Sequence, residues 1–454
     1  MITIKDAQQT SRWVRFVLRR ISRLGRRRWP NPSAVLTALS PEEHHTSVVI
    51  PEVHQSGVAA LVCELVIVDH GTGVGATVAD LLGLDELAVA DVTDGWSVVA
   101  GKRLAFALHQ VESETDHVGV APFDSDIRTH VARSEVADHI LTLLTRSVLD
   151  TQIQLSHLHG GAVAAPDGQA VLILGSSGAG KSTLTAHLAA ADGWRLITDE
   201  QIALLSDQEL VGGFTRPVAI KRAGFAYVPP PVPLTDEPSN VRLLTANLLG
   251  CGRALAASPA LIVLPERDDH VNEVTWELLE PAAAVMELCA NNLDMVRRPA
   301  ETLQAFGWLA STSPTVRFRY RDSAAGAQAV RGLIEDPLPA ISVSYFMPQI
   351  NETCPTKDGN AGADDSEAGV GPHVSALQVG TQLILFNQLT RELLRLDAEA
   401  ARLWTALATR GTLGEGLDDC PGQDVVDLVE NLMDRGFLDP DRCALPTGYS
   451  GTGS

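Results

Sequence analysis

The sequence contains no long apolar run. None of its hydrophobic segments reaches about eighteen uncharged apolar residues, the length that a membrane-spanning helix needs. Basic residues near the N-terminus are not followed by the apolar stretch of a secretory signal. We therefore expect a cytoplasmic protein without a transmembrane helix.

Cysteine is scarce and scattered along the chain. The six cysteines form no C-x-x-C pair, and they are Cys63, Cys251, Cys289, Cys354, Cys420 and Cys443. This spacing favours reduced, structural thiols over a disulfide framework or a thiolate zinc site.

Positive charge is sparse outside the first 30 residues. The net charge is −21, yet residues 1–30 hold nine cations against one carboxylate, about +8, which leaves about −29 for the rest. Such an acidic body disfavours nucleic acid as a partner. At helical spacing the basic arm, residues 1–33, places five arginines on one face, namely Arg12, Arg15, Arg19, Arg23 and Arg26. The arm could dock on anionic lipid, fold back on the acidic body or contact a partner.

The length of 454 residues exceeds what one hydrophobic core usually serves. Composition and periodicity predict an α/β protein with a winged-helix-like module near its C-terminus. The predicted segments are the basic arm at 1–33, an N-terminal α/β region at 34–155, a catalytic domain at 156–336, a flexible linker at 337–372, the C-terminal module at 373–445 and a tail at 446–454.

A phosphate-binding loop is the most informative motif. An apolar strand, Val171–Leu174, runs into Gly175-x-x-x-x-Gly180-Lys181-Ser182 and then into a good helix former. The motif predicts binding of ATP and Mg²⁺ by backbone N–H groups, the Lys181 ammonium and the Ser182 hydroxyl. The predicted ATP-binding residues are Gly175, Ser176, Ser177, Gly178, Ala179, Gly180, Lys181, Ser182 and Thr183.

Two carboxylates follow the next predicted strand. Asp199 and Glu200 lie 18 and 19 residues after Lys181, where a βαβ unit would bring them near the phosphates. Asp199 with Ser182 is the predicted metal site, and one carboxylate of the pair is the predicted base for an acceptor hydroxyl. Strand alternation predicts that one of them points inward and the other does not.

Three further residues are weaker candidates. His159 lies 16 residues before Gly175 and either positions a reacting group or is a structural histidine. Arg216 and Lys221 offer positive charge for a phosphate or an acidic peptide. A separate Gly71-x-Gly73-x-x-Ala76 segment matches a permissive dinucleotide pattern, but its context favours a simple turn.

The combination of His159-Gly160, the phosphate loop and the paired acids resembles the HPr serine kinase/phosphorylase superfamily over residues 156–336. The resemblance implies that Asp199 and Glu200 serve the metal and the acceptor hydroxyl. Glu200 stands where that family usually has a second aspartate, and the long arginine- and glycine-rich segment of true HPr kinases is missing. The chain is therefore similar to a divergent HPr-kinase-related group, whose relatives are often homo-oligomers.

Residues 373–440 are similar to the PqqD family. Predicted strand pairs lead to Leu394-Arg-Leu-Asp397, a helix with Trp404, and a second helix closed by Arg435-Gly436-Phe437-Leu438. The resemblance implies a module that binds the leader of a ribosomally made precursor peptide as an added strand. A flexible linker would then raise the concentration of that peptide at the kinase site.

These observations predict an ATP-dependent kinase that phosphorylates a serine or threonine hydroxyl on a precursor peptide. Alternatives are a kinase of a carrier protein or small hydroxyl metabolite, and a nucleotide-gated scaffold without phosphoryl transfer. The sequence leaves open whether the donor is ATP, GTP or pyrophosphate.

Overall fold

A computed structural model of the chain describes residues 42–54, 57–83, 96–111, 116–122, 129–214, 216–229, 240–339, 343–348, 370, 373–410 and 422–440. The predicted basic arm and tail lie outside these residues. Within them the protein is a mixed α/β structure with three main sheets.

The first sheet is formed by five strands in chain order, β1 (Glu42–His54), β2 (Gly57–His70), β3 (Ser97–Gln110), β4 (His117–Pro122) and β5 (Thr129–Ala132). Its pairs are antiparallel except β2 with β3. Helices α1 (Gly75–Leu82) and α2 (Val136–Thr151) cover one face and bury residues such as Leu65, Ile67, Leu108, Ile140 and Leu141. Helix α2 forms because apolar residues recur at helical spacing along it.

The second sheet has ten strands, β6 (Ser156–Leu158), β7 (Gly160–Ala164), β8 (Gln169–Leu174), β9 (Arg195–Thr198), β10 (Ile202–Leu205), β11 (Leu210–Gly212), β14 (Gly252–Arg253), β15 (Ala256–Arg267), β16 (Thr275–Leu278) and β17 (Thr315–Tyr320). A separate hairpin is formed by β12 (Val218–Lys221) and β13 (Val241–Leu244). The helices of this part are α3 (Lys181–Ala189), α4 (Ala246–Leu249), α5 (Pro281–Ala290), α6 (Pro299–Thr312) and α7 (Ser323–Glu335).

The order β9-β7-β8-β15-β17 decides where the site lies. Strands β8, β15 and β17 are parallel, and β7 is antiparallel to both β8 and β9. The carboxyl ends of β8, β9, β15 and β17 therefore meet at one edge, together with the start of β7. The predicted βαβ unit is formed by β8, α3 and β9, and β7 is inserted between its two parallel strands.

Both faces of this sheet are buried, which explains why β8 is apolar at consecutive positions. Val171 and Ile173 pack with α3 and α7, whereas Leu172 and Leu174 pack with α5 and α6. The close packing of β7 against α3 requires a small residue at position 161. A Cβ atom on Gly161 would lie 2.1 Å from Thr185 Oγ1 of α3.

The C-terminal sheet has the order β18 (Tyr345–Phe346), β19 (Val374–Val379), β20 (Gln382–Asn387) and β21 (Glu392–Leu396). Strands β19 and β20 correspond to the strand pair that the sequence predicts ahead of Leu394. Helices α8 (Ala398–Arg410) and α9 (Gly422–Asp434) follow them.

This sheet is packed against the rest of the molecule. On one face, Leu383 and Leu385 pack against α9 and against α8, which carries Trp404. On the other face, Leu377 and Phe386 pack against α5 and α6. Within the described residues the module is docked on α5 and α6, and the flexible linker stays a prediction. Most of the predicted linker lies outside the described residues, but Tyr345–Phe346 within it pairs with β19.

Candidate active site

The phosphate loop joins β8 to α3. Lys181 is buried, and its Nζ donates to the carbonyl oxygens of Gly175 over 2.7 Å and Ser176 over 3.1 Å. Burial lowers the pKa of Lys181, while the nearby charges of Glu200 and Asp199 oppose that shift. The ammonium is thus held inside the curve of the loop, where it can meet a β- or γ-phosphate oxygen.

The remaining loop residues line the same turn. Ser176, Ser177 and Gly178 are exposed, Ala179 N–H donates to the Ser176 carbonyl, and Thr183 is half-buried. Gly180 has φ +96° at the start of α3, a conformation that favours glycine. The loop leaves exposed backbone at the N-terminus of a helix, which is where phosphates bind.

Asp199 is the buried member of the acid pair. Both its carboxylate oxygens accept from Ser182 Oγ, over 3.1 and 3.2 Å, and Oδ2 also accepts from Ala219 N–H over 3.0 Å. Burial raises the pKa of Asp199 to about 6, against the lowering effect of the Arg216 guanidinium. The predicted metal pair, Ser182 and Asp199, is brought together.

Glu200 is the half-exposed member. It has φ +80°, which is unusual for a residue with a Cβ atom, and its Oε2 lies 3.5 Å from His159 Nδ1. Burial lowers the pKa of His159, although Glu200 opposes this shift. Because β7 begins at Gly160, His159 lies between the ends of β8 and β9. As predicted, one acid points inward and the other does not: Asp199 is 1% exposed, whereas the Glu200 side chain is 38% exposed.

The two predicted cations occupy different places. Lys221 Nζ donates to Ser177 Oγ over 3.0 Å, so it faces the phosphate loop from β12. Arg216 is buried and donates to Thr145 Oγ1 of α2 over 3.0 Å. Arg216 therefore compensates buried carboxylates instead of lying on a surface open to substrate.

Sequence reasoning missed two residues at this edge. Asn291, at the end of α5, accepts from Gly175 N–H through Oδ1 over 2.9 Å, and its carbonyl accepts from His159 N–H over 2.6 Å. Asp138 of α2 is close enough for its charge to interact with Arg216 and Glu200, and burial raises the pKa of Asp138. A polar residue at the end of a helix carries no motif, so only the three-dimensional packing identifies Asn291.

The site fits a Mg²⁺ ion in its donor chemistry. Among the described residues, the hydrogen-bond donors to the buried Asp199 carboxylate are the Ser182 hydroxyl and the Ala219 N–H, so Asp199 is a hard oxygen ligand without a direct cationic contact there. No group of three or more His, Cys, Asp or Glu in the described ranges could hold a metal by itself. Ser182 and Asp199 would therefore share the ion with nucleotide phosphates, which is how Mg²⁺ is usually bound.

The Gly71 segment connects β2 to α1, which begins at Gly75, and β2 is parallel to β3, so the segment lies in a βαβ unit and not in the incomplete context from which a simple turn was predicted. The Asp69 carboxylate accepts from the backbone N–H groups of Thr72, Val74 and Gly75 and from the Thr72 hydroxyl. These amides are satisfied by a side chain of the same segment and are not available for a dinucleotide phosphate.

No family model and no curated protein matches the chain in sequence. Among solved structures, the chain is similar to the Hpr(Ser) kinase/phosphatase from Coxiella burnetii, with 10% sequence identity and a TM-score of 0.22. The match covers 40% of this chain and 94% of that one. A likeness of this size says nothing about the function of the chain.

The described helices include none that is both long and apolar enough to span a membrane.

Proposed function

We propose that the chain is a kinase that transfers the γ-phosphoryl group of ATP to a serine or threonine hydroxyl. The observation that carries this proposal is a phosphate loop beside two carboxylates of different burial. Asp199 is buried against Ser182, and Glu200 is half-exposed beside His159. A second carboxylate at positive φ beside the phosphate loop supports a catalytic role, because strained residues cluster at active sites.

Each residue then has a separate task. The acceptor oxygen attacks the γ-phosphorus, the bond to the β-phosphate oxygen breaks, ADP leaves, and the hydroxyl proton passes to Glu200. Glu200 suits that task because Asp199 is occupied by Ser182 and Ala219. His159 orients the Glu200 carboxylate, and Lys181 and the loop N–H groups stabilise charge on the transferred group. Ser182 and Asp199 would hold Mg²⁺, which would supply positive charge against the phosphates.

The acceptor in this proposal is a ribosomally made precursor peptide. What supports it is the C-terminal sheet, whose outer strand β21 pairs only with β20 among the described residues. An extended peptide can add to such an edge through main-chain hydrogen bonds. Because the sheet is docked on α5 and α6, a peptide on β21 would be held at a fixed position relative to the catalytic edge.

The test uses γ-labelled ATP, Mg²⁺ and candidate precursor peptides, each with and without its leader, with products read by intact mass. Wild-type protein should add one phosphoryl group to a leader-bearing peptide. Glu200→Gln should slow transfer at least 100-fold, the usual contribution of a general base. Glu209→Gln is the matched control, because Glu209 is also at positive φ but is exposed outside the site. Transfer at the wild-type rate by Glu200→Gln would reject the assigned base, and transfer only to a small hydroxyl compound would reject the peptide acceptor.

A further inference from the structure

A second group of side chains lies at the same sheet edge, on the side of the loop away from Asp199. The strand order places β9 on one side of β8, and β15 and β17 on the other. Arg267 ends β15 and Tyr320 ends β17, and the two residues are direct partners in the parallel register. Ligands of open α/β sheets lie across the carboxyl ends of such strands.

Tyr320 has an unused hydroxyl that lies against the phosphate loop. The side chain is fully buried, and among the described residues its Oη has no hydrogen-bond partner. A Cβ atom on Gly180 would lie 2.5 Å from that Oη, so the hydroxyl is directly beside the loop. Burial raises the pKa of Tyr320 to about 12, so the phenol stays protonated and can donate. Buried tyrosine hydroxyls normally have a partner, which indicates that an acceptor belongs here.

The Arg267 guanidinium lies over the Tyr227 ring, and Arg267 is the strand partner of Tyr320. The guanidinium carbon of Arg267 is 3.7 Å from the centre of the Tyr227 ring, and Tyr227 is 37% exposed. His187 of α3 is 2.7 Å from the Tyr227 carbonyl oxygen through Nε2. This contact holds the stacked pair against the helix that starts at the phosphate loop. Arg267 Nε is buried and lacks a partner within the described part of the chain.

We propose that Tyr227, Arg267 and Tyr320 form the nucleoside half of the donor site. The base stacks on the Tyr227–Arg267 pair, and the ribose accepts a hydrogen bond from Tyr320 Oη. Aromatic rings and guanidinium planes stack on bases of any identity. The donor class is therefore a nucleoside triphosphate, and inorganic pyrophosphate or triphosphate lacks the part that these residues bind. This inference rests on the proposed function, because the triphosphate of the same ligand occupies the loop.

The test measures binding of Mg·ATP and of Mg·triphosphate, the inorganic chain, to the full-length protein by calorimetry. Tyr227→Ala and Arg267→Ala should each weaken ATP binding about 10-fold to 100-fold, the size of a lost stacking contact, and leave inorganic triphosphate unchanged. Tyr320→Phe should weaken ATP binding about 2-fold to 10-fold, as for one hydrogen bond, with the same selectivity. Arg319→Ala is the control, because Arg319 precedes Tyr320 on β17 and its guanidinium pairs with Glu266, as that of Arg267 pairs with Asp269.

The outcomes distinguish the nucleoside assignment from the proposed kinase function. Wild-type protein that binds ATP and inorganic triphosphate equally tightly would overturn the nucleoside assignment while leaving the phosphate loop intact. Equal losses for both ligands in Tyr227→Ala and Arg267→Ala, or no loss for ATP, would also overturn it. Wild-type protein that binds neither ligand would reject the proposed function, and the nucleoside assignment with it.

Discussion

Asp199 is held in a fully buried position beside two neutral donors, Ser182 and Ala219, while its balancing cation, Arg216, is committed to α2. Removing a carboxylate from water disfavours its charged form. Its pKa of about 6 compares with 3.8 for the exposed group, so the folded protein binds more protons than the unfolded chain between these values. Ionised Asp199 therefore destabilises the metal-free fold above pH 6, and this cost disappears as the pH falls.

We predict that Asp199→Asn raises the stability of metal-free protein at pH 7 by on the order of 3 kcal/mol. The gain should shrink below about 1 kcal/mol near pH 4, where wild-type Asp199 is protonated. Urea unfolding in a chelating buffer at several pH values measures both quantities. Asp207→Asn, at an exposed position, serves as the control. A gain that stays constant with pH would contradict the assignment of this cost to the carboxylate charge.

Glu200, the next residue, lowers the stability of the fold through backbone strain. At φ +80° its Cβ atom is strained, and glycine would relieve the strain by roughly 1 kcal/mol. We predict that Glu200→Gly unfolds at a higher urea concentration than wild type but loses phosphoryl transfer. Glu209→Gly, at φ +55°, should gain similar stability and keep full activity. If Glu200→Gly is no more stable than Glu200→Gln, the backbone at this position is not strained.

At the scale of elements, the loop is shaped by its neighbours as well as by its own glycines. Gly178 has φ +89° and open space around it, whereas Gly180 has φ +96° and lies against Tyr320. We predict that Gly178→Ala costs only the conformational strain, about 1 kcal/mol, while Gly180→Ala adds a steric clash. Thermal unfolding with and without ATP measures the two costs. Adding Tyr320→Phe to Gly180→Ala should recover part of the lost stability. Equal losses of stability in Gly178→Ala and Gly180→Ala would show that Tyr320 does not press on the loop.

Helix α5 supports the loop through its last turn. Asn291 links Gly175 at the loop entry with His159 at the start of β7. We predict that Asn291→Ala weakens ATP binding about 2-fold to 10-fold, because one hydrogen bond that orders the loop is lost. Asn247→Ala, on the exposed face of α4, is the matched control. Unchanged ATP affinity in Asn291→Ala would mean that the loop is ordered without this contact.

The elements of the site were largely predictable, and their arrangement was not. The apolar run at Val171–Leu174 and the glycines after it have strong local signals, so the strand, loop and helix follow from the sequence. The insertion of β7 between β8 and β9 depends on which strands pair with each other. The hydrophobic periodicity of a single sequence does not carry that information. The positions of Asn291 and Asp138 were missed for the same reason.

At the scale of the whole molecule, the C-terminal sheet is shared between two hydrophobic cores. The residues of β20 alternate, with Leu383 and Leu385 facing α8 and α9, and Ile384 and Phe386 facing α5 and α6. The sequence predicts β20 because Leu383–Phe386 is a short apolar run bounded by polar residues, but such a run does not specify which helix covers each face. The docked arrangement therefore could not be predicted, and the tethered module was expected instead.

We predict that Phe386→Ala destabilises the catalytic part together with the C-terminal module. Removing the ring from a shared core should cost about 3 to 5 kcal/mol. Calorimetry should show one cooperative transition that shifts as a whole, whereas independently folded modules would show two transitions with only one displaced. Leu389→Ala is the control, since this loop residue is 69% exposed and should leave the transition unchanged.

In the proposed kinase reaction, the strained acid, the supported loop and the docked sheet would each contribute to one phosphoryl transfer. The measurement that tests it most directly is the ratio of ADP formed to phosphopeptide formed in the same reaction with Mg²⁺ and a leader-bearing peptide. The account predicts a ratio of about one, ADP formation that depends on the peptide, and loss of both products in Asp199→Asn. ADP formation that proceeds without a phosphorylated acceptor, or binding of ATP without any turnover, would contradict it.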